Sequence, residues 1–73
     1  MHAAQANQRP RIFEELDVVR TRAAMRVDEH RLPSGTIGAI VFVHTGGEAY
    51  EVEFTSPVAT VVTLAAGEVE PAA

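Results

Sequence analysis

The stretch Ile40-Val41-Phe42-Val43-His44-Thr45-Gly46-Gly47-Glu48-Ala49-Tyr50-Glu51-Val52-Glu53-Phe54 decides the fold of this chain. Its two arms are rich in β-branched and aromatic residues, which fit a pleated, half-buried surface. Between them lie two glycines that take positive φ without steric cost, as both central residues of a two-residue type I′ turn must. The reading is a β-hairpin with Gly46-Gly47 at its tip. On the second arm Tyr50, Val52 and Phe54 alternate with Glu51 and Glu53, so period two sends three large apolar groups inward and two carboxylates outward.

Upstream, Leu16 to Thr21 reads as a first strand on its β-branched content; the pair Val18-Val19 and the lack of an apolar stripe at 3.6 spacing speak against a helix over 10–25. Ile12 and Phe13 are expected either to clip over the barrel edge or to form a short turn. Residues 22–35 carry Arg22, Arg26, Asp28, Glu29, His30 and Arg31 and show neither period, so they read as a long polar loop anchored by Leu32. Gly35 and Gly38 bracket a turn followed by a bulge or a close backbone approach, and the second strand runs from Ile37 to His44. Downstream, Thr55-Ser56-Pro57 breaks the ladder, Ala59 to Leu64 forms a fourth strand, residues 65–68 a single helical turn, and Val69-Glu70 a short fifth strand. Residues 1–9 read as a mobile tail and 10–71 as one domain. The expected fold is all-β: a small five-stranded, SH3-like, partly open barrel with a long loop after the first strand. An OB-fold would need longer strands and more residues.

A chain of 73 residues without cysteine has no disulfide scaffold and no thiolate site, and a core of this size supplies only a few kcal/mol net. A pocket able to engulf a cofactor would hollow that core out, and no cofactor is expected. No apolar run reaches signal-peptide or membrane-spanning length, so the expectation is a soluble, cytoplasmic protein without a membrane partner. All six basic residues, Arg9, Arg11, Arg20, Arg22, Arg26 and Arg31, precede position 32, and every later charge is a glutamate. The net charge of −4 disfavours a phosphate backbone as partner, because such binding draws on clustered cations that release counterions.

Glu15-Leu16-Asp17-Val18-Val19, Leu32-Pro33-Ser34-Gly35-Thr36-Ile37-Gly38-Ala39-Ile40-Val41, Ala49-Tyr50-Glu51-Val52-Glu53-Phe54 and Val62-Thr63-Leu64 followed by Val69-Glu70 occur in an order that resembles the small bacterial domain-of-unknown-function family 4926. The resemblance covers residues 14–70. More distantly, the order is similar to SH3-like barrels of KOW-type translation and transcription factors and of the nitrile hydratase β subunit. These relatives imply the barrel and no shared activity. The nitrile hydratase likeness carries over no catalytic residue, since that enzyme's thiolates lie on another subunit and this chain has no cysteine.

Residues able to do chemistry are present without the spacing that chemistry needs. Asp28, His30 and Ser34 name an acid, a base and a nucleophile within one loop, with no rigid scaffold or oxyanion hole. His30, His44, Asp28 and Glu29 offer nitrogen and oxygen ligands at no recognisable metal spacing. Glu51 and Glu53 share a strand face at roughly 6–7 Å, too exposed for either pKa to move far. Gly35 and Gly38 precede no lysine and no strand-to-helix turn, so they do not form a phosphate loop.

The expected function is therefore a non-enzymatic binding module with no catalytic or metal-binding residue. Arginine and exposed aromatics are the types enriched at interface hot spots, which points to Arg20, Arg22, Arg26 and Arg31 with Phe42 as the face for a protein partner. The acidic face of Glu48, Glu51 and Glu53 is a second candidate surface, suited to an antitoxin or immunity-type inhibitor that mimics a phosphate backbone. The alternative is an RNA- or ribosome-associated module of the KOW type. Self-association through a strand edge is a further possibility.

Overall fold

The computed structural model describes residues 12–72. The expected tail over residues 1–9 and the domain start at residue 10 lie outside the described residues. Seven strands follow in chain order: β1 (Val18–Thr21), β2 (Met25–Val27), β3 (His30–Leu32), β4 (Ile37–His44), β5 (Ala49–Phe54), β6 (Thr60–Ala65) and β7 (Val69–Pro71). The fold is all-β. Five strands make one antiparallel sheet in the order β6-β5-β4-β1-β7, and β2 and β3 pair separately. The sheet stays open, with β6 and β7 at its two edges rather than paired with each other.

The core forms where the inner faces of these elements meet. Phe13, Val19, Leu32, Ile40, Tyr50, Val52, Phe54, Leu64 and Val69 are buried together. Tyr50 keeps its hydroxyl satisfied by accepting the Phe13 backbone N–H at 3.0 Å, and the two rings meet edge to face with centroids 5.6 Å apart. Phe13 thus joins the core against β5, an interior strand of the sheet, rather than clipping over an edge. At Gly38 a Cβ would stand 2.7 Å from Val52 Cγ1 and 2.9 Å from the Glu53 carbonyl oxygen, so the close approach read there is real. Among the described residues Thr21 is the one buried polar side chain; it donates its hydroxyl to the Pro33 carbonyl and accepts the Thr36 N–H, each at 3.1 Å.

Three local expectations need correction. The first strand begins at Val18 rather than Leu16, because Leu16 has φ of 77° and lies in a turn closed by Asp17 N–H donating to the Glu14 carbonyl. The hairpin at Gly46-Gly47 is not closed by a two-residue turn: His44 pairs with Ala49 across four residues, Thr45 to Glu48. Both glycines do take positive φ, 65° and 98°, but Thr45 joins them at 32°, and the Glu48 N–H folds back onto the His44 carbonyl at 3.2 Å.

The third correction is the largest. Residues 22–35 are not a long loop; they contain the β2–β3 hairpin, closed by Val27 opposite His30 with Asp28 at φ of 55°. Period two is present there after all. Met25 and Val27 pack against the core and Leu32 is fully buried, while Arg26 and Arg31 alternate away from it. Strands of three residues are too short for the period to show, and Asp28-Glu29 is not a glycine-marked turn.

Candidate functional site

The outward face of the five-stranded sheet is decided by one residue. Down β4 the register to β5 runs Gly38 to Phe54, Ala39 to Glu53 and Ile40 to Val52, then shifts so that Phe42 faces Glu51, Val43 faces Tyr50 and His44 faces Ala49. Val41 is the extra residue of a β-bulge. Strict alternation from buried Ile40 would have turned Phe42 inward. With the bulge, Phe42 and His44 lie on the outer face beside Glu51, and Val43 faces the core with Tyr50.

This places a small polar network under an exposed ring. Glu51 accepts a hydrogen bond from His44 Nε2 at 2.7 Å and another from the Thr63 hydroxyl at 2.7 Å. An ionised carboxylate only accepts, so His44 carries its proton on Nε2. The His44 and Thr63 hydrogen bonds hold the Glu51 carboxyl below the usual glutamate range, the histidine contributing most. The Phe42 ring stands edge-on to His44, centroids 4.8 Å apart. Glu53, by contrast, is exposed between Ala39 and Val61 on the neighbouring strands. The two glutamates thus have different surroundings, Glu51 bonded to His44 and Thr63 and Glu53 exposed.

Around this network the outer face is apolar. Val18 on β1, Ile37 and Phe42 on β4 and Val61 on β6 are each at least half exposed, and Val41 is exposed at the bulge. Register aligns Val61, Glu53, Ala39 and Val18 in one row across four strands, with Ile37 and Arg20 opposite each other in the next. Sequence reasoning picked Phe42 and missed Val18, Ile37, Val41 and Val61. The signal was available: continuous runs such as Val18-Val19 and Ile40-Val41-Phe42-Val43 mark a sheet apolar on both faces.

The four arginines do not form one surface. Arg20 and Arg22 share the Glu70 carboxylate, Arg20 Nε at 2.6 Å from Oε2 and Arg22 Nη1 at 3.2 Å from Oε1, and Arg22 Nε also donates to the Val69 carbonyl. Arg26 and Arg31 sit directly opposite each other on β2 and β3 and make no ion pair among the described residues. They border a shallow pocket of about 300 Å³ with Ala24 and Met25. Their strand neighbours Met25, Val27 and Leu32 pack on the core, so this pair and Phe42 belong to different sheets, each turned away from the core.

The other candidate chemistry is dispersed. Ser34 donates its hydroxyl to the Arg22 carbonyl at 3.1 Å, Asp28 occupies the β2–β3 turn, and His30 begins β3, with no hydrogen bond joining the three. Among the described residues no three histidine, aspartate or glutamate side chains converge on a point that could hold a metal ion. Glu48 lies in the β4–β5 turn, its backbone engaged at both ends.

No curated protein and no solved structure matches the chain. One family does: its sequence profile, described as a domain of unknown function, DUF4926, covers residues 15–71. That span takes in every strand described above, and the chain belongs to the DUF4926 family.

Proposed function

We propose that the chain is a small, non-catalytic module that binds a protein partner through the outward face of its five-stranded sheet. The observation that carries this reading is the group Val18, Ile37, Val41, Phe42 and Val61, all exposed on β1, β4 and β6. A domain with so few apolar residues gains nothing in its own stability from leaving five of them in water, and exposed apolar patches rimmed by polar groups mark interaction sites. Phe42, held edge-on by His44, is a pre-ordered aromatic of the kind that anchors interfaces.

The rim suggests the partner's character. Glu53 and Glu48 are exposed or half-exposed carboxylates near the patch, which suits a partner whose own apolar surface is bordered by basic groups. An antitoxin or immunity-type inhibitor of a partner enzyme is the specific form we favour, in a cytoplasmic setting. No helix among the described residues is long and apolar enough to cross a membrane. The RNA-binding alternative draws on Arg26 and Arg31, which have no acidic partner among the described residues. It is the weaker reading, because Arg20 and Arg22 already neutralise Glu70 and the exposed aromatic lies among carboxylates on the other sheet.

The test is recovery of the tagged full chain from its own cells beside the variants Phe42→Asp with Ile37→Asp, and Arg26→Ala with Arg31→Ala. One stoichiometric protein that is retained by the arginine variant and lost with the sheet-face variant supports the proposal. Co-purifying RNA, displaced steeply by salt and lost with the arginine variant, overturns it in favour of the alternative.

A further inference from the structure

The β2–β3 hairpin holds a pair of charges that stability does not explain. Val27 pairs with His30 across the two-residue turn Asp28-Glu29, so that pair is hydrogen-bonded and the next, Arg26 opposite Arg31, is a non-bonded one. Non-bonded pairs bring side chains closest, with Cα atoms roughly 4.5 Å apart. Two exposed arginine stems therefore leave the hairpin side by side, and like charges directly opposite each other are destabilising.

Neutralising groups were within reach. The chain has ten acidic residues for six arginines, and Arg20 and Arg22 are both bound to Glu70. Asp28 and Glu29 stand in the turn that joins β2 to β3, yet Arg26 and Arg31 make no ion pair among the described residues. Both arginines border the same shallow opening of about 300 Å³, which Ala24 and the half-buried Met25 also line. That volume is at the small end of ligand pockets.

We infer that this opening binds a small phosphate monoester, its terminal phosphate held between the Arg26 and Arg31 guanidinium groups and its ester body against Met25 and Ala24. This goes beyond the protein-partner reading and does not depend on it, since Phe42 and its neighbours belong to the other sheet. The chemistry selects among anions. A guanidinium is a planar fork that meets two oxygens at once, and a carboxylate offers one such edge, enough for one arginine. A phosphate monoester has three free oxygens and a charge of roughly −1.5 to −2 at pH 7, so it engages two forks and balances both cations. A nucleic-acid strand instead spreads single charges along a line, whereas here two cations border one opening. The thioether of Met25 gives the ester body a polarisable apolar wall. Because both arginines are exposed to water, the affinity is modest, with a Kd on the order of 1 mM.

The test titrates phenyl phosphate into the full chain at constant ionic strength, from about 0.1 to about 20 mM, a range that spans that Kd. The NMR signals of the Arg26 and Arg31 Nε–H groups and of the Met25 methyl should shift together and saturate. Those of Arg20 and Arg22 should stay, because their Nε–H groups are already given to Glu70 and to the Val69 carbonyl. Benzoate, the same ring with a carboxylate, should bind roughly tenfold more weakly. Arg31→Gln should weaken phenyl phosphate roughly tenfold, and Arg31→Lys, which keeps the charge and loses the fork, roughly threefold. Absence of saturation at the highest concentration overturns the proposal, as does an equal shift at Arg20 and Arg22 or an undiminished affinity in Arg31→Gln. An oligouridylate that moves the same signals at lower concentration, with an affinity falling steeply with salt, overturns it in favour of a nucleic-acid backbone. All but the arginine substitutions are read on the unmodified chain, so the outcome stands even where a variant unfolds.

Discussion

The two β-hairpins of this chain are built by the same rule and are unequally readable. In β4–β5 the arms are eight and six residues long, and period two is plain in Tyr50, Val52 and Phe54. In β2–β3 each arm has three residues, one inward-facing side chain fewer than a pattern needs, and the turn is Asp28-Glu29. Yet the short hairpin also reaches the core, through Leu32, Met25 and Val27. Length governs whether alternation is visible, whereas burial governs whether it matters.

Substitutions that separate these two properties test the comparison. Leu32→Ala should cost about 2–5 kcal/mol, enough to unfold much of so small a domain, as measured by urea denaturation. A loss below 1 kcal/mol would mean that β2–β3 behaves as the loop its sequence suggests. In the long hairpin, Gly38→Ala forces a Cβ against Val52 and the Glu53 carbonyl and should cost roughly 1–3 kcal/mol in the same assay. Gly46→Ala, where a Cβ meets nothing but φ is 65°, should cost about 1 kcal/mol from backbone strain alone. An equal loss at the two glycines would remove the distinction between close approach and turn.

Charges give the smaller effects. Arg31→Glu replaces two facing arginines with an opposite pair and should raise stability by roughly 0.2–1 kcal/mol, read as a shift in the denaturation midpoint; a lower midpoint would show that the Arg26 and Arg31 pair is supported by contacts beyond its own charge. The smallest effect belongs to Glu51. Its carboxyl is held below the usual range in the folded chain, so its contribution is present above the unfolded glutamate pKa and is lost as pH falls through the folded one. Stability measured from pH 6 downward should drop less steeply in Glu51→Gln than in the parent. Parallel curves would mean that the His44 and Thr63 bonds form equally well with the protonated acid.

What could be read from residues alone follows from these same causes. The bounds of β4 and β5, the inward set Tyr50, Val52 and Phe54, the anchor Leu32 and the break at Thr55-Ser56-Pro57 all rest on local pattern or turn chemistry. The candidate surfaces were less legible because they depend on partners distant in sequence. Nothing near Arg20 and Arg22 announces that Glu70 will neutralise both. Nothing in Ile40-Val41-Phe42-Val43 marks which residue is the bulge, since every position in the run is apolar. Phe42 was assigned to the outer face by elimination, and the structure supplies the reason.

That reason has a consequence for how the surface can change. Because Val41 is the extra residue, removing its single codon would close the bulge and leave the facings as they are: Ile40 inward, Phe42 outward opposite Glu51, Val43 inward opposite Tyr50. A ladder that kept Val41 and lost the bulge would instead set Val41 opposite Glu51 and Phe42 opposite Tyr50, withdrawing the exposed aromatic and parting His44 from Glu51 with no side chain altered in kind. In this family member the character of a whole face is held by one irregularity of the strand, so a change that irons out the bulge would remake that face, whereas loss of the bulged residue itself would spare it.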